Sequence, residues 1–454
     1  MQYTEFGKTG IQVSRLGFGC MRFPSREVDG RKVFDEEESI RMMHRAMELG
    51  VNYFDTAPGY CEKQSEIIVG KALKGRRDKV YLSTKYPSEE ASGDDLERKL
   101  ETSLKKLDTD YIDFYHMWGI SLKTFVERLD TPDGPMARAR KLRDAGVIRH
   151  ISFSFHDAPE NMIEIIRRGE GVFASVLCQY NLLDRANEDA IAYAHEQGLG
   201  VTIMGPVGGG RLGAPSKVIQ DLLPGKVQSS AEMALRFVMN NRNVNIALSG
   251  MSSMDMVEEN AAVASNMEPL TPEEEARIAA SLEENRRLPD LYCTGCNYCM
   301  PCPKGINIPE IFKMMNYHRV YGLTKFARDN YARIGKEPWL NFQNAAACVQ
   351  CGACEKKCPQ HLHTRRSATK PTRRTRDMRT IPLGKTGLAV PAVALGCMRL
   401  TALDERGAQT YVRTALEYGA NFFDHADIYG GGTCEELFGK AIAGIPREEL
   451  IIQS

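Results

Sequence analysis

Short runs of β-branched and aromatic residues alternate with longer amphipathic stretches along the first half of the 454-residue chain. Eight such runs are present, at residues 15–20, 51–56, 80–85, 111–116, 148–155, 175–180, 200–204 and 244–249. The stretches between them carry apolar residues at helical spacing, for example at 36–49, 94–107 and 187–197. Alternating strands and helices predict a parallel sheet, and eight units favour a closed barrel over an open sheet. The fold class that we predict is therefore α/β, a (β/α)8 TIM barrel.

The barrel is predicted to fill residues 1–288. After the eighth run, Thr271 suits a helix N-cap and Pro272 the first turn of a helix that continues to about residue 287. Barrels of this kind carry their active residues at the C-terminal ends of the strands, where the loops to the helices begin. Side chains at those ends are therefore the candidates for chemistry.

Charge and hydropathy exclude some partners. Lysine plus arginine equals aspartate plus glutamate, at 59 each, so net charge gives no reason to expect a nucleic acid or an anionic membrane. No apolar run has the length of a signal peptide or of a membrane span. We expect a cytoplasmic protein whose partners include neither nucleic acid nor membrane.

Thirteen cysteines would indicate disulfides in a small secreted domain, but here most of them fall in two tight clusters of a large chain. The clustered cysteines are Cys293, Cys296, Cys299 and Cys302, followed by Pro303, and Cys348, Cys351, Cys354 and Cys358, followed by Pro359. The second set has the C-x2-C-x2-C-x3-C-P spacing of bacterial ferredoxins. We predict a 4Fe-4S ferredoxin-type domain at 289–363 with two clusters, or at least one, since the first set departs from that spacing before Cys302. Structural zinc sites and disulfides are the alternatives.

In ferredoxins of this type, the cysteine that precedes proline ligates the other cluster. One centre is then predicted on Cys293, Cys296, Cys299 and Cys358, and its neighbour on Cys348, Cys351, Cys354 and Cys302. The remaining cysteines are predicted to be small buried apolar residues: Cys20, Cys61, Cys178, Cys397 and Cys434.

Between the two cysteine sets, a helical stretch is predicted at about 309–331. A basic run at 364–378 is predicted to be a solvated linker rather than a nucleic-acid patch, because no aromatic residues interleave it. An internal repeat follows: residues 7–10 return as 384–387, 19–22 as 396–399, and 52–55 as 421–424. Residues 379–454 thus begin a second barrel, which we expect neither to close a sheet nor to bury its strands. Two origins stay open, a truncated or frame-shifted reading that joins two coding regions, and a natural tandem protein cut short.

Three polar residues stand at predicted strand ends. Asp55 and Tyr60 lie five residues apart where the second strand enters its loop, and Lys85 ends the third strand. Together with the opening 6–10 segment, they resemble the aldo-keto reductase family over about residues 1–285, specifically a subgroup with a C-terminal 4Fe-4S domain. The resemblance implies a catalytic tetrad of Asp, Tyr, Lys and His and hydride transfer between a nicotinamide and a carbonyl or alcohol.

The chemistry of such a transfer explains these residue types. Negative charge develops on the carbonyl oxygen, and Tyr60 is the expected proton donor. Because a phenol has a pKa near 10, we expect Lys85 to lower it and Asp55 to hold Lys85. The fourth member is open: the family pattern puts histidine where this chain has Trp118, whereas His116 precedes it by two residues. Both face the same way along a strand, so His116 projects into the barrel one layer deeper, and Trp118 is the alternative as a pocket residue.

The resemblance also implies a binding site for NADPH or NADH. Ser154 and Gln179 would contact the nicotinamide, the loop with Gly205, Gly209, Gly210 and Arg211 the pyrophosphate, and Ser252, Glu259 and Asn260 the adenosine. Phe155 and Met204 replace an asparagine and an aromatic residue that many members have. Gly250 and Met256 replace the cations that bind a 2′-phosphate, so a preference for NADPH over NADH stays open.

The two modules together imply more than carbonyl reduction, because hydride transfer moves two electrons and a cluster accepts one. We predict an NAD(P)H-dependent oxidoreductase that takes a small carbonyl or alcohol substrate and exchanges electrons with a redox partner protein at the ferredoxin-type domain. Two alternatives stay open: an electron-transfer or redox-sensing protein whose barrel no longer reduces carbonyls, and clusters that only fix the end of the barrel.

Overall fold

The computed structural model describes residues 1–28, 31–88, 91–213, 216–223, 225–286, 293, 299–337, 340–358, 362, 380–417 and 419–454. By its internal contacts the chain divides into two compact units. The first unit comprises Met1–Gly295 and Phe312–Arg333, and the second comprises Cys296–Ile311 and Ile334–Ser454. Residues 312–333, which lie between the two cysteine sets in the sequence, thus belong to the same unit as the barrel.

The first unit contains a closed barrel of eight parallel strands, as the sequence predicts. Its strands, here called the first to the eighth, are Leu16–Gly19, Tyr53–Asp55, Tyr81–Tyr86, Ile112–Ile120, Ile148–Phe155, Ser175–Gln179, Gly200–Met204 and Ile246–Ser249. Each strand pairs with the next, and the eighth pairs with the first to close the sheet. The fourth strand continues to Ile120 rather than ending at His116, with an irregular register against the fifth strand between Met117 and Ile120.

Helices connect the strands and cover the barrel. Within Met1–Gly295, the helices of eight residues or more are Glu36–Glu48, Ser65–Leu73, Gly93–Leu107, Pro135–Asp144, Pro159–Arg168, Glu188–Glu196, Ser230–Asn240, Met254–Asn266 and Pro272–Arg286. Side-chain caps from Asp35, Ser92, Ser229 and Ser253 accept backbone N–H groups at four of their N-termini. Thr271 and Glu274 cap the last helix reciprocally, as the predicted N-cap requires.

Aromatic and aliphatic side chains fill the N-terminal end of the barrel. Phe6, Tyr53 and Phe114 lie in mutual ring contact there and are fully buried. A two-stranded hairpin of Tyr3–Glu5 and Gln12–Ser14 leads Phe6 into this cluster, against Gly200 at the start of the seventh strand. Since this end is packed shut, the opposite, C-terminal end is left for a ligand.

The stretch 309–331, predicted as one helical segment, forms two helices, Ile308–Arg319 and Thr324–Ala332. The break falls at Gly322, whose φ of +66° lies in the left-handed region and cannot continue a right-handed helix. Tyr317, Tyr321 and Leu323 pack with Leu282 of the Pro272–Arg286 helix in one apolar cluster. The barrel unit is thereby extended by helical segments that follow the first cysteines in the sequence.

The second unit contains the repeated fragment. Strands Leu395–Gly396, Phe422–Asp424 and Ile451–Gln453 form an open parallel sheet of three strands, next to helices Glu405–Glu417 and Thr433–Ala441. The sheet does not close, as predicted. The expectation that the fragment cannot bury its strands is wrong for the middle strand, where Phe422 and Phe423 are both buried. Phe423 packs in an apolar cluster with Val412 and Phe438, one residue from each of the two helices.

The repeated fragment opens with a hairpin of Thr380–Pro382 and Ala389–Pro391, which corresponds to the opening hairpin of the barrel. The same unit contains the short helix Ala353–Lys357 in the second cysteine set. Ile306 and Gln343 form a parallel bridge, which joins the chain that follows Cys302 to the chain that precedes Cys348. The linker 364–378 lies outside the described residues.

Candidate active site

A buried ion pair lies at the C-terminal end of the barrel. The ammonium of Lys85 lies 2.7 Å from both carboxylate oxygens of Asp55, and the two side chains are 1% and 2% exposed. Lys85 also donates to the Thr56 carbonyl at 2.8 Å, and the Ser83 hydroxyl donates to Asp55 at 2.7 Å. The second and third strands set this geometry, because their register pairs Asp55 with Ser83. Each charge is thus neutralised and hydrogen-bonded, which burial in an apolar interior requires.

Tyr60 lies beside this pair. The Lys85 ammonium lies 4.7 Å from the centre of the Tyr60 ring. Burial lowers the pKa of Lys85, but the charges of Asp55 and Tyr60 outweigh it and raise that pKa above its usual value, so Lys85 is protonated. Burial raises the pKa of the Tyr60 phenol, and Lys85 acts in the opposite direction. Lys85 therefore has the expected effect, but burial outweighs it, and Tyr60 is a neutral phenol able to donate a proton.

The turn that carries Tyr60 has an uncommon backbone. Cys61, Glu62 and Lys63 have φ values of +50°, +51° and +72°, in the left-handed region that costs a residue with a side chain about 1 kcal/mol or more. The second copy has three glycines at the matching positions, Gly430–Gly432, and all of them also have positive φ. The shape of the turn is therefore common to both copies, and the first copy adopts it against the preference of its residues.

His116 and Trp118 occupy different levels of the fourth strand. His116 is paired in register with Lys85 and Ser152 and is fully buried, and neither of its ring nitrogens has a hydrogen-bond partner among the described residues. Burial first, and the charge of Lys85 second, lower its pKa to about 4. Trp118 makes an edge-to-face contact with Tyr60, with ring centres 5.9 Å apart. The structure thus brings Trp118 against Tyr60 and leaves His116 neutral in the interior.

Ser154 and Gln179 lie at the ends of the fifth and sixth strands, where the sequence predicts nicotinamide contacts. The Ser154 hydroxyl accepts the Gly119 N–H at 2.7 Å, which leaves its own hydrogen for a ligand. The Gln179 side chain lies over Gly205: a Cβ built on Gly205, whose φ is +63°, would lie 2.8 Å from the amide oxygen. This close approach explains why position 205 holds glycine.

The loop after the seventh strand forms a turn of 3-10 type over Gly208–Gly213. Gly209 and Gly210 have φ values of +70° and +96°, and nothing lies within 4 Å of a Cβ built on Gly210. Successive glycines in such conformations allow backbone N–H groups to face an anion. This arrangement fits the predicted pyrophosphate contact. The Arg211 side chain lies outside the described part of the structure.

The three predicted adenosine contacts differ in their surroundings. Asn260 is buried and donates to the Ser249 hydroxyl at 3.2 Å, which ties its helix to the end of the eighth strand. Ser252 is exposed near the Met256 sulfur, at 3.6 Å. Glu259 is exposed and lines a groove with Glu232 and Arg236 of the neighbouring Ser230–Asn240 helix. Ser252 and Asn260 therefore lie near the barrel end, whereas Glu259 lies along the outer helices.

The clustered cysteines are partly accessible wherever the structure describes them. Cys351 is exposed, and Cys293, Cys299, Cys302, Cys348, Cys354 and Cys358 have intermediate exposure. Cys296 lies outside the described residues, and within them no group of three or more His, Cys, Asp or Glu side chains is gathered closely enough to hold a metal ion. The donor set of eight thiols suits iron-sulfur clusters, which thiolates ligate. The other five cysteines are buried, as predicted.

Two family models match this chain. The model of the aldo/keto reductase family covers residues 15–283 and again 392–454, and the model of the 4Fe-4S dicluster domain covers 292–363. The chain belongs to the aldo/keto reductase family. The resemblance that the strand-end residues suggest is confirmed, as is the presence of a 4Fe-4S domain after the barrel.

Individual relatives support the same family. The uncharacterized oxidoreductase YqkF of Bacillus subtilis is 26% identical over 60% of this chain and 94% of its own length. The L-galactose dehydrogenase of Arabidopsis thaliana is 27% identical over 63% of this chain and 96% of its own. An aldo-keto reductase structure from Bacillus halodurans, in its holo form, has a TM-score of 0.52 and 29% identity, and covers 62% of this chain and 96% of its own.

A second solved structure shares the fold. The aldo-keto reductase from Klebsiella pneumoniae in complex with NADPH has a TM-score of 0.51 and 23% identity, over 62% of this chain and 94% of its own.

In the described ranges of our chain, none of the helices has the length and apolar character that crossing a bilayer requires.

Sequence reasoning missed two residues near the site. Ser83, which donates to Asp55, gave no signal, because a serine inside a strand is common. Arg22 extends across the end of the first strand toward Gly250 and Gly209. Its signal was available, since the repeat preserves it as Arg399.

Proposed function

We propose that the barrel is an NAD(P)H-dependent oxidoreductase that transfers a hydride between a nicotinamide and a small carbonyl or alcohol substrate. The observation that carries this proposal is the contact of Tyr60 with the buried Asp55–Lys85 pair at the open end of the barrel. A neutral phenol beside a fixed ammonium is the arrangement that donates a proton to an oxygen on which negative charge develops. When bound, the nicotinamide supplies or accepts the hydride.

The chain's own residues then have separate roles. Tyr60 donates its proton to the carbonyl oxygen during reduction and accepts it from the alcohol during oxidation. Lys85 stabilises the phenolate that remains, and Asp55 holds Lys85 in place and protonated. Trp118 limits the space beside the Tyr60 ring and is proposed to orient the substrate. His116 is proposed to act from the layer beneath as a neutral imidazole.

The residues at the barrel end fit a nicotinamide dinucleotide. Ser154 and Gln179 are proposed to hold the nicotinamide amide, since each presents a hydrogen-bonding group at a strand end. Gly209 and Gly210, with Arg211, are proposed to contact the pyrophosphate, and Ser252 with Asn260 the adenosine. Glu259 is also proposed to contact the adenosine, on the basis of the family resemblance alone.

The eight clustered cysteines are proposed to hold two 4Fe-4S clusters. When assembled, each cluster supplies one-electron transfer, so a redox protein that docks at this domain is the proposed electron partner. Cysteines of intermediate exposure suit that role, because electron exchange requires close approach of the partner.

One observation favours a second candidate, an electron-transfer or redox-sensing protein whose barrel binds nucleotide without reducing carbonyls. His116 is neutral, buried and without a hydrogen-bond partner in the described structure, while Trp118 is the residue that contacts Tyr60. The intact trio of Asp55, Tyr60 and Lys85 favours carbonyl chemistry more strongly.

Tyr60→Phe distinguishes the two candidates. Full-length protein, purified anaerobically, is assayed with NADPH or NADH for reduction of a panel of aldehydes and ketones, and separately for reduction of an artificial one-electron acceptor. We expect the substitution to reduce carbonyl turnover by about 100-fold or more, the usual contribution of a general acid, and to leave acceptor reduction intact. Tyr53→Phe is the matched control, since this buried tyrosine lies in the packed N-terminal end of the same barrel. Unchanged carbonyl turnover in Tyr60→Phe would rule out the proposed role of Tyr60.

A further inference from the structure

The side chain of Asn316 holds the backbone of Cys293, the first cysteine of the first set. The Cys293 N–H donates to the Asn316 amide oxygen at 3.1 Å, and the Asn316 amide nitrogen donates to the Cys293 carbonyl at 2.8 Å. Both bonds go to the backbone, so neither of them uses the thiol. Asn316 lies 23 positions away in the chain and is 5% exposed. One buried amide thus satisfies both backbone groups of a single cysteine.

A reciprocal pair of hydrogen bonds fixes Cys293 more firmly than one bond would. Both of its backbone groups are attached to the same planar amide, so the residue cannot turn or shift without losing a bond of good geometry. Without the amide, the backbone of Cys293 would have to be ordered each time the cysteine binds a ligand. Asn316 therefore orders the cysteine in advance.

The helix that carries Asn316 belongs to the barrel unit at its C-terminal end. Tyr317 packs with Leu282, which follows the barrel, in one apolar cluster. Four residues after Tyr317, the Tyr321 carbonyl accepts a hydrogen bond from the buried Ser216 hydroxyl at 2.7 Å. Through Asn316, the barrel unit thus sets the position of the first cysteine.

The second cysteine set has a hydrogen bond of a different kind. The Gln350 N–H donates to the Cys348 sulfur at 3.4 Å, and Gln350 has a φ of +56°. The donor there comes from the turn between Cys348 and Cys351, inside a set that has the ferredoxin spacing. The first set departs from that spacing, and its first cysteine is held by a side chain from a helix outside the set.

We propose that Asn316 is a positioning residue for the iron-sulfur cluster to which Cys293 contributes. It orders the backbone of this ligand before the cluster assembles, and it does not ligate iron itself. This inference rests on the proposed function, since it assigns a support to one ligand of a proposed cluster. The cluster that has Cys351 among its predicted ligands should not depend on Asn316.

Asn316→Leu tests this role in full-length protein purified anaerobically. Leucine has the same branching as asparagine and offers no hydrogen bond, and Asn316→Ala guards against an effect of its larger volume. The measurements are the content of iron and acid-labile sulfide, and the rate of iron release to a ferrous chelator. We expect about half of the iron to be missing already or to be released about tenfold faster, as for loss of hydrogen bonds that order a ligand.

Asn330→Leu is the matched control. The Asn330 amide lies on the next helix and donates to the Phe326 carbonyl of that same helix at 2.9 Å, without contact to a cysteine through this bond. This variant should keep the iron content and the release rate of the wild type.

Two cysteine variants locate the effect on one cluster. Asn316→Leu and Cys293→Ser should change the same signal in the electron paramagnetic resonance spectrum of the reduced protein. In a Cys293→Ser background, Asn316→Leu should therefore add little to the iron loss, whereas in a Cys351→Ser background it should add its full effect. Equal added losses in the two backgrounds would contradict a role at Cys293.

The outcomes separate this inference from the proposed function. If the wild-type protein binds no iron, the proposed clusters fail and this inference fails with them. If the wild type binds iron and Asn316→Leu matches it in content, release rate and spectrum, the inference alone is overturned. If Asn330→Leu loses as much iron as Asn316→Leu, helix packing explains the loss and the positioning role is wrong.

Discussion

The buried pair of Asp55 and Lys85 allows a quantitative prediction about stability. Both side chains are almost fully excluded from solvent, so water screens their interaction little. Asp55→Asn leaves a buried ammonium without its counter-charge, and Lys85→Met leaves a buried carboxylate that keeps the Ser83 hydrogen bond. Removal of one partner of such a pair costs about 3–5 kcal/mol. We expect each single variant to lower the free energy of unfolding of the barrel by about 3 kcal/mol at pH 7.

The double variant, Asp55→Asn with Lys85→Met, should lose much less than the sum of the two. It leaves no buried charge, and replacing a buried pair by neutral side chains of similar volume is often nearly neutral. The expected loss is about 1 kcal/mol, against about 6 kcal/mol for the sum of the two single variants, which gives a coupling energy of about 5 kcal/mol between the two positions. Urea unfolding followed by Trp118 fluorescence measures these values in a Trp339→Phe background, because the chain has only two tryptophans.

The pH dependence of the free energy of unfolding provides a second test, because the direction of the change can be predicted. In the wild type, the pKa of Lys85 is raised, so its contribution is present below the unfolded value near 10.4 and is lost as pH rises through the folded value. In Asp55→Asn, burial is no longer outweighed by the carboxylate, and the pKa of Lys85 should fall below its usual value. Stability of that variant should therefore increase as pH rises from 7 toward 10. Additive losses in the double variant, or a fall in stability over this interval, would refute the reasoning.

Two further predictions concern the same end of the barrel. The pKa of His116 is about 4, against 6.5 when exposed, so the unfolded chain takes up a proton there first as pH falls. The contribution of His116 to the free energy of unfolding should therefore fall by about 3 kcal/mol between pH 6.5 and 4. His116→Gln should lack this share of the loss, and urea midpoints at pH 7, 5.5 and 4.5 measure it; equal slopes for the two proteins would exclude a buried neutral histidine. Glu62→Gly with Lys63→Gly should stabilise the barrel by about 1 kcal/mol, since glycine removes the cost of two left-handed residues but adds unfolded-state entropy. Thermal unfolding checks this, with Glu27→Gly and Lys32→Gly in the hairpin of Ser25–Val28 and Arg31–Phe34 as a control expected to destabilise. A lower melting temperature for the first double variant would contradict the strain argument.

Strands and helix caps of the barrel could be predicted from the sequence, because they depend on residues that are close together in the chain. The fifth and seventh strands match the predicted runs residue for residue, and the Thr271 cap is observed. The errors fall where one glycine changes the backbone. Gly119, at φ +60°, lies within the irregular end of the fourth strand, and Gly322 divides a predicted helix. Single-sequence patterns indicate that a glycine is present, but not whether it breaks an element or lies inside one.

Part of the candidate site could be predicted from the sequence for a related reason. Asp55 and Lys85 follow from the rule that strand ends carry the chemistry, and adjacent strands must bring them together. The strand period shows that His116 and Trp118 face the same side, but depth along the barrel decides their roles, and depth depends on the register of neighbouring strands. The position of the Arg22 side chain could not be predicted from the sequence, because it depends on packing between loops that are far apart in the chain.

The internal repeat reveals the backbone conformation of the turn after Tyr60, which the sequence of the first copy alone does not indicate. Read alone, Cys61, Glu62 and Lys63 have no turn signal, and glutamate and lysine favour a right-handed helix. The second copy places Gly430–Gly432 in the same turn, and glycine triplets with positive φ reveal the backbone that this turn requires. The turn follows directly after Tyr60, the proposed proton donor, so strained residues there fit the tendency of functional sites to hold backbone that the surrounding structure imposes. The closed barrel around the first copy can impose that conformation, whereas the open three-stranded sheet of the second copy has glycines that adopt it without strain.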